Sequence, residues 1–114
     1  MTLNDYMELA ARTDNVGIET DPIKSRTLAA MGMVGEAAEC LDHLKKVIAQ
    51  GHELDSGKLI EEAGDCLWYV AKMARACNVT LEDVATFNIS KLAVRYPSGF
   101  SAAASVNRRE YRND

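Results

Sequence analysis

The chain has 114 residues, enough for one compact domain and too few for two. Seventeen acids against 13 bases give a formal charge of −4, which excludes a nucleic-acid binder working through a broadly basic face. Hydrophobic residues at 47% and charged residues at 26% exclude a disordered chain, and the 6% of aromatics beside abundant Ala, Leu, Met, Glu and Lys leans toward helix.

Thr2 and Asp5 have capping-box spacing, and the first predicted helix runs from about Leu3 to Arg12 with Leu3, Tyr6, Met7 and Ala10 on one stripe. Thr13 to Pro22 reads as a loop. A second helix is predicted from about Ile23 to Gln50, with Met31, Val34, Ala38, Leu41, Leu44 and Ile48 recurring at spacings of three and four. Gly51 ends it. Ser56 is the expected cap of a third helix reaching about Cys77, whose buried face should hold Ile60, Ala63, Leu67, Val70, Ala71 and Ala74. Thr80 and Asp83 repeat the capping-box spacing ahead of a fourth helix, about Leu81 to Arg95, which Tyr96-Pro97 stops. Ser98 to Asp114 is polar and rich in Ala, Ser and Arg, and a frayed terminus is as good a reading for it as an ordered arm. Strand-like alternation and internal repeats are absent from the sequence.

Cys40, Cys66 and Cys77 form no paired framework and read as reduced thiols. No apolar run approaches the roughly 20 residues of a membrane span, and Met1 to Arg12 lacks the pattern of a signal peptide. A cytoplasmic location and no membrane partner are therefore expected. The apolar stripes are broad for so small a bundle, which predicts self-association.

Glu36 and Glu39 project from one side of the second helix, opposite the centre of its apolar stripe at 100° per residue. Glu62 and Asp65 repeat that spacing on the third helix. Acids so placed are by default solvated surface. Three features argue otherwise. Gly32 and Gly35 precede Glu36, and helix-interior glycine costs about 1 kcal/mol against alanine, so a close approach is expected there. Trp68, the one tryptophan, shares a face with Glu62 and Asp65, as do Tyr69 and Lys72. Helices joined by a short connection pack antiparallel, which lets the two acid pairs converge. Converging carboxylates need hard cations between them, and an all-oxygen set selects Mg²⁺ or Mn²⁺. Asn88, Lys91 and Arg95 share a face of the fourth helix and supply what polyphosphate oxygens require. There is no glycine-rich phosphate loop.

These segments resemble the MazG-like nucleoside triphosphate pyrophosphohydrolases, an all-α family whose signature is Glu-x-x-Glu on one helix and Glu-x-x-Asp on the next. Gly35-Glu36-Ala37-Ala38-Glu39 matches the first element, and Glu61-Glu62-Ala63-Gly64-Asp65 running into Cys66-Leu67-Trp68-Tyr69 matches the second. The family's fuller form opens with two adjacent acids, where this chain has Gly35. Asn88 to Leu92 with Arg95-Tyr96-Pro97, Gly51 to Leu54, Tyr6 with Arg12-Thr13, and Phe100 to Arg108 extend the likeness over most of the chain.

The resemblance implies a four-helix bundle over residues 1–97 and a carboxy-terminal arm over 98–114 that contacts a neighbouring subunit. It implies Mg²⁺-dependent hydrolysis of a nucleoside triphosphate to monophosphate and pyrophosphate, in a homodimer or homotetramer. Glu36, Glu39, Glu62 and Asp65 would bind Mg²⁺, one glutamate placing the attacking water. Lys91 and Arg95 would hold phosphates with Asn88 assisting, and Tyr6, Trp68 and Arg108 are candidates for contact with the nucleoside. Trp68 reads equally well as an interface residue, and Lys45, Lys46, Lys72 and His52 as solvated surface. The alternatives are a non-catalytic helical interaction module, or a same-fold enzyme acting on dUTP, dCTP or a guanosine alarmone.

Overall fold

The computed structural model describes residues 1–14 and 21–113. Most of the loop expected between the first two helices, residues 15–20, lies outside them. The described residues form helices α1 (Leu3–Ala11), α2 (Pro22–Gln50), α3 (Ser56–Ala76), α4 (Leu81–Arg95) and α5 (Ala102–Asn107), then a 3₁₀ turn at Arg109–Tyr111, with no strand among them. The protein is therefore all-α, as its sequence predicts. It divides into two compact units, Met1–Leu81 and Glu82–Asp114.

Local chemistry sets the helix boundaries. The Thr2 hydroxyl accepts from the Asp5 N–H at 3.0 Å while the Asp5 carboxylate accepts from the Thr2 N–H at 2.8 Å, a complete capping box. These two bonds hold the Asp5 carboxyl below its ordinary range. Pro22 opens α2 rather than ending the loop, because the Asp21 side chain caps the N–H groups of Ile23 and Lys24. Gly51 stops α2 in the left-handed region at φ 72°, where only glycine is unstrained. The cap of α3 is Asp55, one residue before the expected Ser56, and it accepts from the Lys58 N–H at 3.2 Å.

In the first unit α2 and α3 form an antiparallel hairpin. Arg26 donates to the Ala76 carbonyl at one end, and the Asp55 N–H donates to His43 Nε2 at 3.0 Å at the other. Small residues permit the close packing. Ala29 is wholly buried, and a Cβ on Gly32 would stand 2.1 Å from the Tyr69 ring. The approach expected at the glycines is thus real at Gly32 and made by Tyr69, whereas Gly35 has open space around it.

The acid-bearing faces meet, as the antiparallel expectation requires, and the apolar stripe of α2 is left out of the contact. On α2 it is the face of Ala29, Gly32, Glu36, Cys40 and His43 that turns toward α3. The apolar stripe lies bare, with Val34 70% and Ile48 87% exposed and Met31 and Leu41 open beside them. On α3 the stripe splits. Ala71 and Ala74 are buried, but Ile60 is 72% exposed. The buried apolar residues are small apart from Leu81, and no large side chain is fully buried among the described residues.

In the second unit the arm is ordered. Ser101 caps α5 by accepting from the Ala104 N–H at 3.1 Å, Tyr96 packs on Phe100, and Arg95 pairs with Glu110. The frayed reading of this segment is therefore wrong, because aromatic and ionic contacts fold it back on the end of α4.

Candidate active site

Antiparallel pairing puts the middle of α2 opposite the first half of α3, which is where the acids are. One carboxylate oxygen each from Glu36, Glu62 and Asp65 lies within 4.8 Å of the other two. Glu62 is buried, Glu36 half-buried and Asp65 exposed, so the group opens to solvent on one side. Burial first, then the charges of Asp65, Glu62 and Glu39, push the Glu36 carboxyl above its ordinary value, and a hydrogen bond shared with Glu62 adds to this. Lys58 reaches Glu62 at 3.4 Å, a single partly exposed cation against three acids. Glu39 stands one turn along α2, exposed, in a shallow cleft with Ala38, Leu41, Asp42 and Lys45. Its oxygens are outside the group of three, although its charge acts on Glu36.

A cleft of about 340 Å³ lined by Thr13, Glu36, Asp65, Trp68 and Tyr69 opens beside the acids. Its wall is fixed by the end of α1. The Trp68 indole N–H donates to the Ala10 carbonyl at 3.1 Å and to the Thr13 hydroxyl at 2.7 Å. Arg75 donates to the Met7 carbonyl, and Asp14 receives both Lys72 and Arg75 at 3.1 Å. These bonds tie the last turns of α1 to α3 through carbonyls at Met7 and Ala10, the latter also accepting from the Thr13 N–H at 3.1 Å. Trp68 therefore anchors α1 to α3, with its ring edge against Tyr69 and Lys72 over its face. Tyr6 lies near enough to Asp65 for that charge, after burial, to raise its phenol.

Lys72 is the clear departure from its default as solvated surface. It is buried and paired with Asp14. Lys45 and Lys46 both pair with Asp42, whose carboxyl is pulled down to about 2 by their hydrogen bonds. His52 is exposed, as expected, whereas the buried His43 carried no signal in the sequence beyond its place one turn after Glu39. The three cysteines are free, and burial, then the charges of Cys40 and the acids, raises the Cys66 thiol.

The residues expected to hold phosphates belong to the second unit. Asn88 is exposed, Lys91 and Arg95 half-buried. Arg95 is engaged by Glu110 and lies over the rings of Tyr96 and Tyr111. Arg108 closes α5 at φ 45° and lies over Tyr111.

An all-helical chain whose carboxylates meet across a helix hairpin offers an all-oxygen set of the kind that suits a hard cation, and its sequence holds no glycine-rich phosphate loop. The model of the family described as "MazG nucleotide pyrophosphohydrolase domain" matches residues 24–100, and the chain belongs to that family. It is 32% identical over 94 residues to the Gene 37 protein of Mycobacterium phage L5, covering 79% of this chain and 82% of the phage protein. That name states no activity. No solved structure matches the chain significantly. Family membership supports a nucleotide pyrophosphohydrolase. No described helix is long and apolar enough to cross a membrane.

Proposed function

We propose that the chain hydrolyses a nucleoside triphosphate to the monophosphate and pyrophosphate, with Mg²⁺ or Mn²⁺ held by Glu36, Glu62 and Asp65 and with Glu39 completing the set. The observation that carries this reading is the approach of three carboxylates to within 4.8 Å, with the partly exposed Lys58 the one cation paired with them among the described residues. Such a set fits a hard divalent ion, because the donors are all oxygen and three carboxylates share the space with a single paired lysine among the described residues. When bound, the ion supplies Lewis-acid polarisation of phosphoryl oxygens.

The chain's own groups do the rest. A glutamate of the cluster orients a water and takes its proton as the oxygen attacks the α-phosphorus, and pyrophosphate leaves. Trp68, locked through Ala10 and Thr13, holds the wall of the cleft still; Tyr69 lines the space for the nucleoside, and Tyr6, close enough to feel the Asp65 charge, contacts the nucleoside from beside it. Lys91 and Arg95 with Asn88 bind phosphates, which for Arg95 means exchanging Glu110 for a phosphoryl oxygen. The bare apolar stripe of α2 and the open half of that on α3 support a homodimer or a dimer of dimers. A cytoplasmic enzyme controlling nucleotide pools fits this chemistry.

The test is pyrophosphate release from a panel of canonical and modified nucleoside triphosphates with Mg²⁺ or Mn²⁺. Turnover of at least one of them is expected, and silence across the panel with both metals would remove the reading.

A further inference from the structure

Asp65, Trp68, Lys72 and Arg75 follow one another on α3 at spacings of three, four and three, so one face of the helix carries all four. The acidic group accounts for Asp65, and the cleft wall for Trp68. Lys72 and Arg75 line no part of that cleft, yet the Lys72 side chain is only 8% exposed. An ammonium taken out of water is costly unless it is paired. Its partner is Asp14, whose two carboxylate oxygens receive Lys72 and Arg75 at 3.1 Å each. Arg75 also donates to the Met7 carbonyl, further back along α1. Replacing a buried ion pair by apolar side chains of similar volume is often neutral or stabilising, so stability alone does not explain these charges.

The contacts close on themselves. Asp14 holds Lys72, and Lys72 lies 5.6 Å from the centroid of the Trp68 ring. The indole N–H donates to the Thr13 hydroxyl, and Thr13 precedes Asp14 in the chain. Of these four residues, Trp68 and Thr13 line the cleft, and the charged pair lies outside its lining. We propose that Asp14, Lys72 and Arg75 are positioning residues, a charge clamp that sets where α1 ends and thereby where Thr13 and Trp68 stand at the cleft. None of the three belongs to the acidic group. The functional consequence, a tighter hold on the nucleoside, rests on the hydrolase reading above, whereas the clamp itself does not.

Trp68 is the one tryptophan, so its fluorescence reports the wall without metal or substrate. The experiment compares the full natural chain with Asp14→Asn and with the double variant Asp14→Ala/Lys72→Met, by acrylamide quenching, thermal melting and steady-state kinetics. Asp14→Asn leaves the Lys72 ammonium without its counter-charge and should lower the melting temperature. The double variant leaves no buried ammonium unpaired and should melt close to the natural chain. Its indole should nonetheless be quenched more strongly, and its kcat/KM should fall by ~10–10²-fold, carried mainly by KM. Quenching like that of the natural chain, or an unchanged KM in an active double variant, overturns the proposal. A loss carried by kcat at constant KM contradicts a positioning role and overturns it too. So does a double variant that no longer folds, because the pair would then hold up the fold rather than aim the wall. Silence of the natural chain toward every triphosphate removes the hydrolase reading, while quenching still decides the clamp.

Discussion

Glu36 is the residue on which stability and proposed activity pull against each other. Its folded carboxyl is raised from an ordinary value of 4.5, so the folded chain binds more protons than the unfolded chain between those two values. Stability of the metal-free protein therefore falls as pH rises through that window, and the loss persists at neutral pH. Glu36→Gln should raise the metal-free melting temperature at pH 7, lose that advantage below pH ~4, and abolish turnover. A melting curve at the two pH values checks the sign. Trp68 acts at the same scale by different means. Trp68→Phe keeps most of the ring but removes the indole donor to the Ala10 carbonyl and Thr13 hydroxyl, which keep each other as partners, a loss of about 0.5–1.5 kcal/mol measurable by denaturant unfolding. Neither role could be read from composition, since Trp68 beside the acids suggested a ring for a base or an interface, and the structure shows its N–H at work.

At the scale of elements, the helices were legible because their ends are written in local chemistry. Thr2 with Asp5, Gly51 and Tyr96-Pro97 each act within a few residues of themselves, so spacing alone locates them. Which way the apolar stripes turn was not legible, although the convergence of the acids was. Periodicity reveals an apolar stripe but not which neighbour it meets, and α2 turns its small and acidic side, Ala29, Gly32 and Glu36, toward α3. The same geometry distinguishes two glycines that look alike in sequence. Gly32→Ala should destabilise by about 1–3 kcal/mol, because its methyl must displace a Tyr69 ring already held against Trp68. Gly35→Ala meets nothing and should stabilise α2 by up to ~1 kcal/mol. Thermal denaturation of the two variants side by side measures the contrast.

For the whole molecule the open question is what covers Met31, Val34, Leu41, Ile48 and Ile60. A soluble monomer seldom leaves so many large apolar side chains bare on two adjacent helices. A second copy of the same hairpin satisfies both stripes at once, since a two-fold contact pairs a face with itself. Val34→Glu with Leu41→Glu should shift the sedimentation coefficient to that of a monomer, whereas an unchanged assembly would place the interface elsewhere. The acidic excess also takes on a more specific meaning at this scale. Of 17 acids, three meet in one group across α2 and α3, while Asp14, Asp42 and Glu110 are each paired with cations.

The central claim is that the group formed by Glu36, Glu62 and Asp65 exists to hold a divalent ion for hydrolysis of a nucleoside triphosphate. Asp65→Asn is the sharpest probe, because Asp65 is the exposed member and the change removes charge at nearly constant shape. Pyrophosphate release should be metal-dependent in the natural chain and fall at least ~10²-fold in the variant, with helical content unchanged. Equal release by both proteins would contradict the account.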